Sequence, residues 1–303
     1  MNRQMTETRT LSHIDTPPPP APGFIGEGHT AVEVVRPDAL ASSDPFVLLM
    51  DDRLLIPTRR QIGGPHPHAG LETVTLVLEG TLVDRDEGGV TAGDVIWMTA
   101  GRGIIHNEAV EAEGRARILQ LWIALPPGDR LLPPRFQIVR RDDAPVVRAP
   151  GVQARLYSGS SGSVRSSTDN RVPVTMIDIA LAAGATFRQD LPVAFNGFMY
   201  VVDGSIHVGD TAVAMGQVGW LTTSAATSTA SSSSTAVEIL AGERGARVVL
   251  YAGRPIRQHL VQQGPFVAGS PAEIIDFHRR YRAGQFTTMS EVARTQRAER
   301  QPS

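Results

Sequence analysis

The sequence predicts an all-β protein built from two tandem barrels of jelly-roll type and finished by a short C-terminal helix. Three observations carry that prediction. Strand-length apolar runs fill most of the chain, an internal repeat of domain size divides it, and helical periodicity is absent before about residue 270.

The strand runs come first. Between about Ala31 and Arg254, short apolar stretches alternate with Gly, Pro, Asp and Asn. Pro45–Met50, Thr73–Leu78, Ile118–Leu125, Val174–Ile179, Gly197–Val202 and Ala246–Tyr251 all have strand length and are bounded by turn formers. That is the texture of an all-β barrel or sandwich.

The repeat is the more informative signal. Leu76-Val77-Leu78-Glu79-Gly80, followed by Gly93-Asp94-Val95-Ile96-Trp97, recurs as Tyr200-Val201-Val202-Asp203-Gly204, followed by Gly216-Gln217-Val218-Gly219-Trp220. The offset is 124 residues at the first glycine and 123 at the tryptophan. Each copy reads as strand, acidic-Gly turn, strand, Gly turn, strand, which is how antiparallel hairpins of a jelly roll are written. Two barrels of one kind therefore follow, over residues 31–142 and 143–268, joined near Pro145 to Pro150.

Residues 1–30 contain Pro17-Pro18-Pro19-Pro20 and no apolar core of a signal peptide, and read as a flexible Pro-containing leader. Residues 269–303 read as a helix and tail. Ser270 is the N-cap, Pro271 the first helical residue and Glu273 the third, a capping box. Ile274, Phe277, His278 and Tyr281 follow at helical spacing, and Gly284 is placed to end the helix. His278 on that stripe is a packed helix residue. The Ser/Thr/Ala run from Thr222 to Thr235 cannot fill a core and reads as an exposed loop.

Composition narrows the chemistry. With 303 residues the chain is long enough for two domains, each burying its own core. A formal charge of -2 gives no global attraction to nucleic acid or to an anionic membrane. There is no cysteine, which removes disulfides, thiolate nucleophiles, iron–sulfur clusters and Cys-type zinc sites together. All 29 basic residues are arginine, as codon bias in a GC-rich bacterial genome would produce. No apolar stretch approaches the roughly 20 residues of a membrane helix, so a soluble, cytoplasmic protein is expected.

What remains for chemistry is His, carboxylate and hydroxyl. Of eight histidines, three lie in two compact clusters, His66-Pro67-His68 and His106-Asn107-Glu108. On an extended chain, residues two apart share a face, so each cluster aims a pair of ligands one way. Counting on from His68, the same parity reaches Glu72, Val74, Leu76 and Leu78, a face polar at one end and apolar beyond. This suits a barrel wall with a metal near its mouth. Three imidazoles and a carboxylate suit divalent Fe, Mn, Co, Ni, Cu or Zn rather than Ca or Mg. Parity alone allows Glu72 or Glu108 as the fourth ligand. Moved by the repeat offset, the four positions His66, His68, His106 and Glu108 fall near Asp190, Pro192, Thr229 and Ser231, so the second barrel lacks the ligands. His207, His13, His29 and His259 read as ordinary residues.

With these residues in view, the chain resembles the pirins, a branch of the cupin superfamily. The matching stretches are HPHAGLETVTLVLEG (His66 to Gly80), GDVIWMTAGRGIIHNE (Gly93 to Glu108), LQLWIALPP (Leu119 to Pro127) and GPFVAGSPAEI (Gly264 to Ile274). The resemblance spans roughly Phe46 to Gly284. It implies two cupin barrels packed face to face and one mononuclear iron held by His66, His68, His106 and Glu108, with Glu108 preferred to Glu72. Two departures stand out. Many pirins have Arg where this chain has Ala69, a change placed near the rim that would alter access. The Pro-rich leader and the Ser/Thr loop lie outside the pattern.

The resemblance further implies quercetin 2,3-dioxygenase activity, the opening of a flavonol's central ring by dioxygen with release of carbon monoxide. The partners would be a small flavonol-like aromatic substrate and dioxygen, with Glu108 as the base that takes the 3-hydroxyl proton and Glu72 in reserve. The rival reading is a non-enzymatic, redox-sensitive regulator that binds a protein partner, as some pirins do. Direct nucleic-acid and membrane binding are not expected, and a monomer is.

Overall fold

The computed structural model describes residues 8–37, 40–62, 64–84, 88–107, 110–223 and 234–300. Glu108, Thr229 and Ser231 lie outside these residues, as does most of the Ser/Thr/Ala run.

The main strands in chain order begin with β1 (Leu11–Asp15), β2 (Ala21–Pro22), β3 (His29–Val35), β4 (Phe46–Ile62), β5 (Pro65–His68) and β6 (Leu71–Glu79). Then come β7 (Val95–Thr99), β8 (Ile104–Asn107), β9 (Val110–Ala124), β10 (Arg135–Val139), β11 (Val146–Ala149) and β12 (Val152–Ser158). The rest are β13 (Val174–Leu181), β14 (Asn196–Val208), β15 (Val218–Leu221), β16 (Ser234–Gly253), β17 (Phe266–Ala268), helix α1 (Pro271–Arg282), β18 (Thr287–Thr288) and helix α2 (Met289–Arg300). The protein is mostly β, as the apolar runs predict, and each of those runs lies mainly within one strand. No helix among the described residues is long and apolar enough to cross a membrane.

The described residues sort into two compact units, one drawn from 18–41, 45–141 and 256–303, the other from 1–17, 42–44 and 142–255. The first is built on a seven-stranded sheet in the order β10-β7-β6-β9-β4-β3-β2 and a three-stranded sheet in the order β18-β8-β5. Leu49, Val74, Leu76, Trp97, Leu119, Leu121 and Ile123 are buried in its core. The second is built on a larger sheet along the path β11-β12-β13-β16-β14-β15-β1 around Leu156, Ile177, Ile179, Met199, Val201 and Leu250.

The repeat is reproduced bond by bond. The N–H of Gly93 donates to Val77 O at 2.8 Å, and that of Gly216 to Val201 O at 2.8 Å. Val77 N–H donates to Asp94 O and Val201 N–H to Gln217 O, both at 3.1 Å. Even the side chains match: Asp94 accepts from Thr91 N–H at 3.0 Å, and Gln217 from Ala214 N–H at 2.9 Å. At Gly80 and at Gly204 a Cβ would stand 2.1 Å from a carbonyl oxygen, so both copies need glycine there.

Three expectations are corrected. The leader over 1–30 is not free chain. Thr8–Arg9 pairs in parallel with β16, β1 pairs with β15, and β2 forms a hairpin with β3. Arg9 is buried and donates to Thr235 Oγ1 and to the carbonyls of Phe195 and Pro192. Main-chain pairing, the polar anchors Arg9 and Asp15 and the packing of Leu11 and Ile14 on the second core hold this segment, and two apolar residues are too few to announce it by pattern. The stretch near Pro145 to Pro150 is likewise a strand, β11, paired with β12. The tail is the third case: Ser270, Pro271, Glu273 and Gly284 cap α1 as expected, but a second helix, α2, follows. Thr288 and Glu291 form its capping box, each accepting from the other's N–H.

Candidate metal centre

β5 and β8 are antiparallel neighbours, with His106 directly opposite His66 and Ile104 opposite His68. The ladder therefore brings together two clusters that are 40 residues apart. One ring nitrogen from each of His66, His68 and His106 lies within 4.8 Å of the others. The ring centroids of His66 and His106 are 4.4 Å apart, and His68 is 5.0 Å from each. His66 Nε2 and His106 Nε2 approach to 2.9 Å. Among the described residues this is the one group of three or more His, Cys, Asp or Glu side chains gathered closely enough to hold an ion.

Local chemistry prepares the donors. A carbonyl only accepts, so His66 Nδ1–H donates to Gly64 O at 3.0 Å, and Nε2 is the nitrogen that faces the cluster. Burial, and then the neighbouring His66, hold His106 well below the usual histidine range, so its imidazole stays neutral, the form that binds a metal. Three imidazole nitrogens fit a divalent transition ion such as iron, nickel, cobalt or zinc. His68 and His106 are buried, 2% and 4% exposed, whereas His66 is partly open. Access is therefore from the His66 side.

The parity count from His68 to Glu72 is broken in the structure. Gly70 turns the chain at φ +78°, so β5 and β6 belong to different sheets. Glu72, fully buried on β6, accepts a hydrogen bond from Thr99 Oγ1 at 2.7 Å on the facing strand β7. It does not belong to the imidazole cluster. Ala69 is not at an open rim either. It is fully buried against Phe266, Ala268, Ile274, Phe277 and Phe286, which explains a small residue at that position.

Several contributors escaped the sequence reading. The segment from β17 to β18 flanks both His-bearing strands: Val267 N–H donates to Ala69 O at 3.1 Å, and Thr287 and Thr288 pair in parallel with Ile104 and Ile105. Trp122 on β9 meets the His68 ring edge-on at 5.1 Å, and Phe24 meets the His66 ring at 5.7 Å. The LQLWIALPP stretch contains Trp122 and GPFVAGSPAEI contains β17; no motif pointed to Phe24 or to β18. His278 packs on Phe266, as its helical stripe predicts. His207 lies on β14 opposite Ala212 and Leu240, within an ordinary ladder.

Comparison with known proteins now places this geometry. The Pirin family profile matches residues 29–123, and that of the Pirin C-terminal cupin domain matches 176–287. The chain belongs to the pirin family. A pirin-like protein of Solanum lycopersicum is 33% identical over 276 residues, covering 86% of this chain and 88% of its own. Pirin of Homo sapiens is 32% identical over 256 residues, covering 79% and 81%. The crystal structure of a quercetin 2,3-dioxygenase from Acinetobacter baumannii superposes with a TM-score of 0.80 at 26% identity, covering 93% of this pirin-family chain and 99% of that one. The two barrels are thus the two cupin domains of a pirin.

Proposed function

We propose that this chain is a cytoplasmic mononuclear iron protein that opens the central ring of flavonols such as quercetin with dioxygen, releasing carbon monoxide. The observation that carries the reading is the triad of His66, His68 and His106, with donor nitrogens within 4.8 Å, in a fold shared with a quercetin 2,3-dioxygenase. When bound, the iron would supply Lewis acidity toward the flavonol 3-hydroxyl and redox contact with dioxygen.

The residues divide the work. Neutral imidazoles leave the ion its full charge, which lowers the barrier to losing the substrate's hydroxyl proton. Glu108, two residues after His106, is proposed both as fourth ligand and as the carboxylate that takes that proton. Glu72, held by Thr99, is proposed to stiffen the wall beside the site rather than to ligate. His68 and His106 are buried and would exclude water from a bound ion, so substrate and dioxygen would enter past the partly open His66.

The test is purification under anaerobic conditions, metal analysis, and oxygen uptake with quercetin. About one iron per chain and uptake that depends on quercetin are expected. Iron retained without uptake would favour a redox-sensitive regulatory role, and two tightly held ions per chain would mean that the second barrel has been misread.

A further inference from the structure

Phe24 is 75% exposed, yet its ring edge meets His66, the ligand on the open side of the cluster, at 5.7 Å. A single exposed aromatic is unremarkable. The way this one is mounted is not. It stands at the tip of the β2–β3 hairpin, where Gly23 N–H donates to His29 O and His29 N–H returns to Gly26 O.

Beneath the tip His29 is buried, and both its nitrogens are engaged. Nδ1 accepts from Ile25 N–H at 3.2 Å, and Nε2 donates to Asp52 Oδ1 at 2.7 Å. Those two bonds tie the backbone just after Phe24 to strand β4 through the His29 ring. A Cβ at Gly23 would lie 2.0 Å from the His29 ring, so the tip closes on this histidine only because residue 23 is glycine. Ile25 turns inward onto Leu54 and Ala116, while Phe24 turns out. The Phe24 ring also meets His29 edge-on at 5.8 Å. The buried His29–Asp52 bond thus lies directly beneath the turn from which the exposed Phe24 ring projects.

We infer that Phe24 is an aromatic wall of the metal pocket that selects planar aromatic ligands, and that His29 and Asp52 are positioning residues for it. Trp122, against His68, forms a second aromatic surface beside the cluster. A ligand ring bound at the open side of the metal would meet Phe24 edge-on or offset, covering apolar surface now in water. This inference rests on the metal-site reading above and extends it to the choice of ligand.

The experiment uses full-length protein loaded with cobalt(II) under nitrogen, with binding read from the visible spectrum of the metal. The probes are quercetin, catechol as a one-ring metal binder, and azide, which has no ring. Phe24→Ala is expected to bind quercetin and catechol about 3- to 10-fold more weakly, with azide affinity and cobalt content unchanged. Phe24→Tyr should lie within about twofold of wild type, and Phe24→Leu should remain weak. Equal catechol binding by wild type and Phe24→Ala, full rescue by Leu, or an equal loss of azide binding would overturn the inference. Catechol binding that depends on Phe24, without quercetin binding to wild type, would uphold it while removing the flavonol reading. Failure of wild type to bind either ring compound would remove both. For the mounting, His29→Leu should reproduce the ligand profile of Phe24→Ala with cobalt retained. An unchanged profile in that variant would show that the His–Asp pair does not position the ring.

Discussion

Strand β8, which carries His106, is held in place by a contact whose energy can be tested by a double-mutant cycle. Gly103, just before β8, has φ +131°, and a Cβ there would lie 2.3 Å from the ring of Phe286. Phe286 is 5% exposed, and the next residue donates from Thr287 N–H to Gly103 O at 3.2 Å. Gly103→Ala should cost about 1–3 kcal/mol for the backbone conformation and about 1–3 kcal/mol for overpacking. Phe286→Ala should cost about 3–5 kcal/mol for the lost burial and the space left behind. The space vacated by the ring is the space the new methyl needs. The double variant should therefore recover the overpacking part, about 1–3 kcal/mol, and keep the backbone part. Hydrogen exchange at Ile104, Ile105 and His106 reads the local stability, and dialysis followed by metal analysis reads the site. Metal affinity should fall about 10- to 100-fold in Phe286→Ala, as for other changes just outside a ligand shell. Costs that add to within about 0.5 kcal/mol, or unchanged exchange at these amides, would refute the claim that the C-terminal segment props the metal strand.

His106→Ala should lose metal and any dioxygenase activity while circular dichroism stays that of the folded protein, because the second barrel adopts the same scaffold without the triad; loss of the β signal would count against a purely functional role. Glu108→Gln should weaken iron retention after dialysis more than Glu72→Gln, since a glutamine at 72 still accepts from Thr99, and the reverse order would make Glu72 the ligand. Asp94 provides a pH test. Burial alone would raise its carboxyl, but N–H groups of Arg141 and Thr91 and the Arg140 guanidinium outweigh that and hold it below the ordinary value of 3.8. A lowered folded-state value stabilises the protein fully above the unfolded value, and that stability is lost as pH falls through the folded one. Asp94→Asn should thus lower the urea midpoint near neutral pH and lose less on acidification below about pH 4; parallel acid profiles for the two proteins would exclude this linkage.

Much of the site was legible because strand geometry has a period of two. His66 and His68 share a face by that rule, and both join the imidazole cluster with His106. The rule failed from His68 to Glu72 because Gly70 inserts a left-handed turn, and parity counting holds only within one uninterrupted strand. α2 was legible in principle, since Thr288 and Glu291 have capping-box spacing, but its weakly apolar face gives little periodic signal. Phe24 carried no signal, and His29 read as an ordinary residue. One is an exposed ring in a glycine-rich stretch and the other an isolated histidine, and only the fold shows that each explains the other.

The sequence by itself determined that this is a two-barrel β protein, that the barrels are copies, and that the first alone carries clustered imidazoles. Those properties are local or repeated, so turn formers, apolar alternation and the comparison of one copy with the other are enough to reveal them. The tertiary structure decided which edges the termini occupy, which strand faces His106, and which apolar side chains stand around the triad. Each of those depends on pairing between residues far apart in the chain, where main-chain hydrogen bonds carry the choice and leave little mark on side-chain pattern.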